Sequence, residues 1–330
     1  MPRDRDGTFA PEIIKKRQQV LEGLDEIAIS MYAKGNSLND ISELIEKMYK
    51  IKLSPQSISN MTDSVSKEVN KWLARPLKKI YSIVYVDCIY CNVKKDLVSE
   101  NSSVYVVLGI DMHGFKEVIG IYIDKTESAT FWQEVFQDIQ NRGVNDILFV
   151  CMDGLSGLAE TVNRVFPKTK IQRCIVHIVR NIYKILPRKE AKGIIADFKK
   201  IYTAPNLEYA KLEYKNFLTK YISNTKLIKH VKNIIEHIFS LFEFPKEIRK
   251  LIYTTNAIES LNSSLRKVTN GKGAFIHENA LFKVLFLRIQ DLEKKWAKGT
   301  ANWKSIQIQL IELFGKRVLN YYENEVRTNG

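Results

Sequence analysis

Residues 81–91 read YSIVYVDCIYC, and this stretch decides the fold. It is dense in β-branched and aromatic residues, so it is expected to be a strand. One carboxylate, Asp87, stands in its middle. A carboxylate in so apolar a strand is costly unless it is paired or binds a cation. Residues 103–112 (SVYVVLGIDM) and 116–123 (KEVIGIYI) repeat the composition, parted by the turn signal His113-Gly114. The three are predicted to be consecutive antiparallel strands. Residues 130–141 follow as a helix ending at Arg142-Gly143. Residues 147–151 are short and wholly apolar, as expected of a buried strand. Residues 157–166 form a further helix stopped by Pro167, and residues 170–174 a last short strand. The order βββαβαβ implies an α/β fold, a mixed sheet with helices on both faces, which matches the ribonuclease H-like arrangement. Its first and fourth strands are then adjacent and parallel.

That topology places a second acid beside the first. Asp153 comes two residues after the expected end of the fourth strand, in CMDGLSG, where Gly154 allows close backbone approach. Both carboxylates fall at the edge where open α/β sheets carry their sites. A third acid has to come from the C-terminal half. Glu259, in YTTNAIESLNSSLRK, is the best candidate. Its helix is expected to begin near Asn256, and Arg266 lies seven residues on, on the same face. Each acid also has a structural reading. Asp87 could bond backbone amides, Asp153 could cap the next helix, and Glu259 could close a capping box with Asn256.

Outward from the sheet the chain is predicted to be helical. Leu24, Ile27 and Met31 recur at helical spacing and stop at Gly35. Ser37 is an N-cap with Asp40 three residues on, ahead of Leu38, Ile41 and Ile45. Ser54-Pro55 starts a third helix carrying Ile58, Met61 and Val65. Such a trio resembles a helix-turn-helix. Residues 72–79 (WLARPLKK) are expected to be a linker. From Ile175 onward Pro187, Pro205 and Pro245 punctuate helices. On this reading residues 1–75 are a helical region of DNA-binding type, residues 76–186 carry the sheet, and residues 187–250 and 251–330 are further helical stretches.

The composition fits a polyanionic partner. Among 330 residues, 51 are Lys or Arg and 37 Asp or Glu, a formal charge of +14, and nucleic acid is the commonest partner of such a balance. Four cysteines without dense spacing argue against a disulfide scaffold and for a reducing compartment. No run of 18 apolar residues occurs, and the charged N-terminus has no secretory h-region. A cytoplasmic protein is expected. Cys88-x-x-Cys91 and Cys174-x-x-His177 together look like zinc ligands. Residues three apart on a strand, however, point to opposite faces, so Cys88 and Cys91 are not expected to chelate one ion.

The sequence resembles the Mutator-like transposases of the IS256 insertion-sequence family. The resemblance runs from Pro2 to about Arg317. It is carried by PRDRDGTFAPEIIKKRQ, RGVNDILFVCMDGL, CIVHIVRN, FPKEIRKLIYTTNAIESLN and KKWAKGTANWK. It implies a DDE transposase whose catalytic core (76–186 and 251–330) carries a helical insertion (187–250), with Asp87, Asp153 and Glu259 as the catalytic acids and Cys174 and His177 as the family's Cys-x-x-His. It also implies two Mg²⁺ ions, with Mn²⁺ as a substitute, cutting and rejoining DNA. Asp87 would bridge both ions, and Asp153 and Glu259 would hold one each. Arg173, Arg180, Arg266 and Lys267 are candidate phosphate contacts, with Asn256 beside the glutamate. Partners implied are terminal inverted repeats, target DNA and a second copy of the chain.

Two departures stand against the resemblance. Relatives carry a helical segment ahead of the PRDR stretch, so the chain reads as an N-terminally shortened copy. The insertion also lacks expected tryptophans, Ile234 and Ile235 standing near the place of one. A non-catalytic DNA-binding derivative, and a ribonuclease H-like nuclease that does not rejoin DNA, are the alternatives.

Overall fold

The computed structural model describes residues 23–95, 98–124, 128–153, 157–253 and 256–329. The PRDR stretch, Gly154 and Thr254-Thr255 lie outside these. Capping chemistry sets the first helices, α1 (Leu24–Ala33), α2 (Leu38–Tyr49) and α3 (Pro55–Leu73). Ser37 and Asp40 form the expected capping box, with N···O distances of 3.1 and 3.0 Å. Ser54 caps α3, and Pro55 opens it. Gly35, at φ +93°, turns the chain after α1. The α1 stripe is rotated from its expected position. Ala28 and Tyr32 are buried, while Ile27 and Met31 are only partly so, because the small alanine lets α1 approach its neighbours. Trp72 is not linker. It ends α3 and packs on Phe286, centroids 5.7 Å apart, under the Arg75 guanidinium.

The β-branched runs form five strands, β1 (Ile80–Lys95), β2 (Val98–Asp111), β3 (Lys116–Asp124), β4 (Asp146–Met152) and β5 (Lys170–Arg173). Their order is β3-β2-β1-β4-β5. β1 is antiparallel to β2 and parallel to β4, as expected, and β4 is parallel to β5. β1 and β2 outrun the expected bounds, since residues 92–95 and 98–101 pair with each other without an apolar pattern. Cys174 leaves the last strand to cap the following helix. A register shift between Tyr81 and Ile83 switches the facing of β1. Tyr81, Val84 and Val86 meet α4 (Ala129–Asn141) and α5 (Leu158–Val165) around Trp132, Phe136 and Val162. Ile83, Tyr85, Ile89 and Cys91 meet the helices of the other face. Alternation puts Asp87 on that second face.

The chain then stays helical: α6 (Ile175–Lys184), α7 (Arg188–Tyr202), α8 (Leu207–Lys220), α9 (Thr225–Phe239), α10 (Lys246–Tyr253), α11 (Asn256–Thr269), α12 (Glu278–Glu293), α13 (Trp303–Phe314) and α14 (Lys316–Asn329). Pro187 stands at the cap of α7, and Pro205 and Pro245 precede α8 and α10. Ile234 and Ile235 are buried in α9. The Tyr85 hydroxyl donates to the Leu251 carbonyl (3.0 Å), fixing the end of α10 against β1. At the far end of the sheet, Trp303 Nε1 and the Tyr322 hydroxyl both donate to the Met112 carbonyl, at 2.9 and 2.6 Å. Gly114 (φ +85°) lies against the Trp303 ring, where an added Cβ would stand only 2.5 Å away. No described helix is long and apolar enough to cross a membrane.

Candidate active site

Two strand ends and two helices build the site. β1 and β4 pair in register from Tyr81↔Ile147 to Tyr85↔Cys151. The same offset relates Asp87 to Asp153, so the acids occupy matched positions just beyond the last paired residues. β5 runs beside β4, and the Cys174 amide donates to the Met152 carbonyl (2.8 Å). The Cys174 thiol then accepts from the His177 amide (3.4 Å) and starts α6. Helical spacing sets His177, Arg180 and Lys184 on one face of α6. That face, Asp87, Asp153 and Arg266 line one cleft of about 330 Å³, with Tyr90, Tyr105 and Trp132 as aromatic wall.

The Asp87 side chain is 9% exposed. Its Oδ1 accepts from the Cys88 amide (2.9 Å) and lies 3.5 Å from His177 Nε2. Its Oδ2 accepts from Asn262 Nδ2 (2.7 Å). Asn262 is fully buried on α11, and its own Oδ1 has no partner among the described residues. His177 Nδ1 is likewise buried and without one. Arg180 Nη1 lies 3.4 Å from His177 Nε2. That nitrogen can donate to Asp87 only when it carries the hydrogen, and then it cannot accept from Arg180. Both contacts are long, so neither tautomer is locked.

Glu259 sits one turn before Asn262, on the helix that packs against β1. Its carboxylate is engaged by the Arg180 guanidinium. Glu259 therefore reaches the cleft through Arg180 and does not line it. Among the described residues, no three His, Cys, Asp or Glu side chains are grouped closely enough to hold a metal ion. The expected acids are thus brought to one region, with two of them sharing the cleft.

The supporting residues divide. His177, Arg180 and Arg266 line the cleft, and Cys174 holds the start of α6. Arg173 does not line it. It ends β5 and helps lower the pKa of His237, where burial is the larger cause. Asn256 and Lys267 are exposed on α11 and do not line the cleft either. Asp153 does not cap α5, whose N-cap residue is Gly157 with no side-chain cap. Cys88 packs toward α4 and Cys91 into the opposite core, as strand alternation requires. Burial pushes the Cys91 and Cys151 thiols up, Cys151 well above its ordinary value, which disfavours metal-binding thiolates. Asn262 and Lys184 were missed in the sequence, though each lies at helical spacing from a chosen residue, Glu259 and His177.

A mixed α/β chain with paired acids at adjacent parallel strand ends, walled by Arg180, Lys184 and Arg266, is suited to a phosphate-bearing polymer. The family model for transposases of the Mutator family matches residues 1–299. The chain is 35% identical over 322 residues to the transposase for insertion sequence element ISRM3 of Rhizobium meliloti, covering 97% of this chain and 80% of the relative. It is 35% identical to a probable insertion-sequence transposase of Corynebacterium diphtheriae, covering 91% of this chain and 88% of that one. It is 26% identical to the transposase for IS256 in transposon Tn4001 of Staphylococcus aureus, covering 90% and 77%. The chain belongs to the Mutator family of transposases, enzymes of insertion sequence elements that transfer DNA strands. Transposases bind the DNA of their elements, and DDE families of them are generally metal-dependent.

Proposed function

We propose that the chain is a ribonuclease H-like DDE transposase whose Asp87, Asp153 and Glu259 together hold two Mg²⁺ ions at the ends of its element. The observation that carries this is the shared register of β1 and β4, with Asp87 and Asp153 opening on one cleft. Their carboxylate oxygens are hard donors suited to Mg²⁺ or Mn²⁺. Glu259 joins them once Arg180 lets go of it. Bound there, the ions supply charge neutralisation on the attacking and leaving oxygens of phosphoryl transfer.

The side chains do the rest. Asn262 and His177 hold the Asp87 carboxylate in orientation from two helices. Arg180, Lys184 and Arg266 receive phosphate oxygens as point charges and forks. When Arg180 turns from Glu259 to a phosphate, DNA binding and completion of the acid set become one event. Water, and then a DNA 3′-hydroxyl, are the attacking groups, so no protein nucleophile is needed. Helices α1–α3 (within residues 1–75) read the element end, residues 187–250 form an insertion into the core (76–186 and 251–330), and two copies of the chain pair the ends.

The test is cleavage and joining of DNA carrying the element ends, in Mg²⁺. Asp87→Asn, Asp153→Asn and Glu259→Gln are each expected to stop cutting while duplex binding persists. Wild-type cutting by any of them sinks the assignment. Nicks without joined product would instead favour a nuclease.

A further inference from the structure

A second cleft, of about 400 Å³, lies between the N-terminal helices and the loop joining α11 to α12. Its central group is Lys272, flanked by Gly271 and Gly273. The Lys272 ammonium lies 4.1 Å from the Tyr32 ring centroid and 5.4 Å from that of Phe275. It has no ion pair or hydrogen-bond acceptor among the described residues. Lys283, also at the cleft, is already committed, donating to Asp63 at 2.9 Å and Thr62 at 3.2 Å. Asp40 is the carboxylate at the cleft wall, and it is held by Ser37 in the α2 capping box. Burial, outweighing Asp40 and reinforced by Lys283, brings the pKa of Lys272 down to about 8. A partly desolvated cation at an open cavity, lying over two ring faces and with no acceptor in hydrogen-bond reach among the described residues, is a seat for an anion.

The surroundings fit that charge. A Cβ built on Gly271 or Gly273 would meet nothing within 4 Å, so a ligand can approach the loop backbone. The first turns of α2, α3 and α12 border the same cavity, and helix N-termini favour anions. The loop is tied to the far end of β1, with Phe275 exchanging backbone bonds of 2.8 Å with Asn92 and Lys94. It is therefore fixed relative to the acid cleft.

We infer that this cleft seats one backbone phosphate of bound DNA, with Lys272 as its counter-ion. The inference rests on the proposed DNA reading of the acid cleft and adds a second anchor to it. Helix α11 joins the two places. From Glu259 to Thr269 it advances about 15 Å, or roughly four base steps along a duplex. One DNA molecule can lie across both.

The test is fluorescence anisotropy of labelled duplex DNA against salt concentration. Lys272→Gln is expected to reduce the slope of log K against log salt by about 0.9, the signature of one lost phosphate contact. Lys272→Arg should keep the slope. Thermal melting checks the fold, and Lys272→Gln should melt no lower than the wild type, having lost a desolvated charge. A scan of neutral methylphosphonates on wild-type protein gives the second measurement. One position, roughly four steps from the cut bond, should weaken binding, and Lys272→Gln should be insensitive to it. An unchanged slope in folded Lys272→Gln, or a scan without such a position, overturns the inference while leaving the acid cleft standing. If the wild-type chain fails to bind duplex DNA at all, the broader reading falls and this one with it.

Discussion

Two aspartates on neighbouring strands, one buried and one half-buried, are held in opposite ways. Asp111 ends β2 and is 1% exposed. Its Oδ1 accepts from the amides of His113 (2.9 Å) and Phe115 (2.8 Å), both in the turn it starts, and its Oδ2 pairs with Lys78. Asp87, on β1, takes one amide from its neighbour Cys88. Its other partners are side chains, Asn262 and His177, from helices far along the sequence. Asn262 and His177 each keep a buried polar atom without a partner among the described residues. A carboxylate satisfied by its own turn is part of the scaffold. One oriented by side chains from distant helices, at the mouth of a cleft, is placed to meet a cation, and the unsatisfied atoms beside it are the usual mark of a site.

The largest expected effect separates the two in activity. Asp87→Asn should abolish strand cleavage yet shift stability by no more than about 1 kcal/mol, since the amide keeps the shape of the carboxylate. Paired cleavage assays and urea melts check this, and a large stability loss in Asp87→Asn would erase the contrast. Asp111→Ala should do the reverse. It strands two amides and removes one of the two carboxylates around the half-exposed Lys78, so a loss of about 3 kcal/mol is expected in denaturant titration. Asn262→Ala comes next. It should lower cleavage about 10- to 100-fold and raise the Mn²⁺ concentration needed for half-maximal binding, read by electron paramagnetic resonance. An unaltered Mn²⁺ titration would show that Asn262 serves packing alone.

The smallest effect concerns a third aspartate. Asp197, on α7, is held below the usual carboxylate range by Lys200, Lys220 and the Tyr221 hydroxyl. Its folded pKa lies below the unfolded one, so its contribution is present above about pH 4 and is lost as pH falls below that. Because the cluster is at the surface, the change should be under about 1 kcal/mol and should shrink in salt. Melting curves of Asp197→Asn and wild type should differ at pH 6 and draw together as the pH falls below about 4.

The contrast also explains what was legible in the sequence. Strand composition and turn glycines are local, so the order of elements and the adjacency of β1 and β4 could be read from residues 81–174. Capping is local as well, and Ser37, Ser54 and Asp40 behave as read. Asp87 stood out because its neighbours are apolar. What could not be read is which distant side chains reach it. Asn262 lies within the quoted NAIESLN, yet nothing in the stretch says that its amide rather than the Glu259 carboxylate faces β1. The Arg180–Glu259 pair depends on where α6 crosses α11, which is a matter of tertiary packing. The strand overhangs were missed because two polar segments satisfy one another's backbone, and that leaves no hydrophobic period.

The Trp303–Gly114 contact bears on how the polypeptide is made. Trp303 and Tyr322 both bond the Met112 carbonyl, some two hundred residues upstream. Until the ribosome has released them, that carbonyl and the flat face of Gly114 stay open to water. Nascent chains therefore carry an unsealed strand end until residues 303–322 have emerged, a stage at which exposed sheet invites association with other chains.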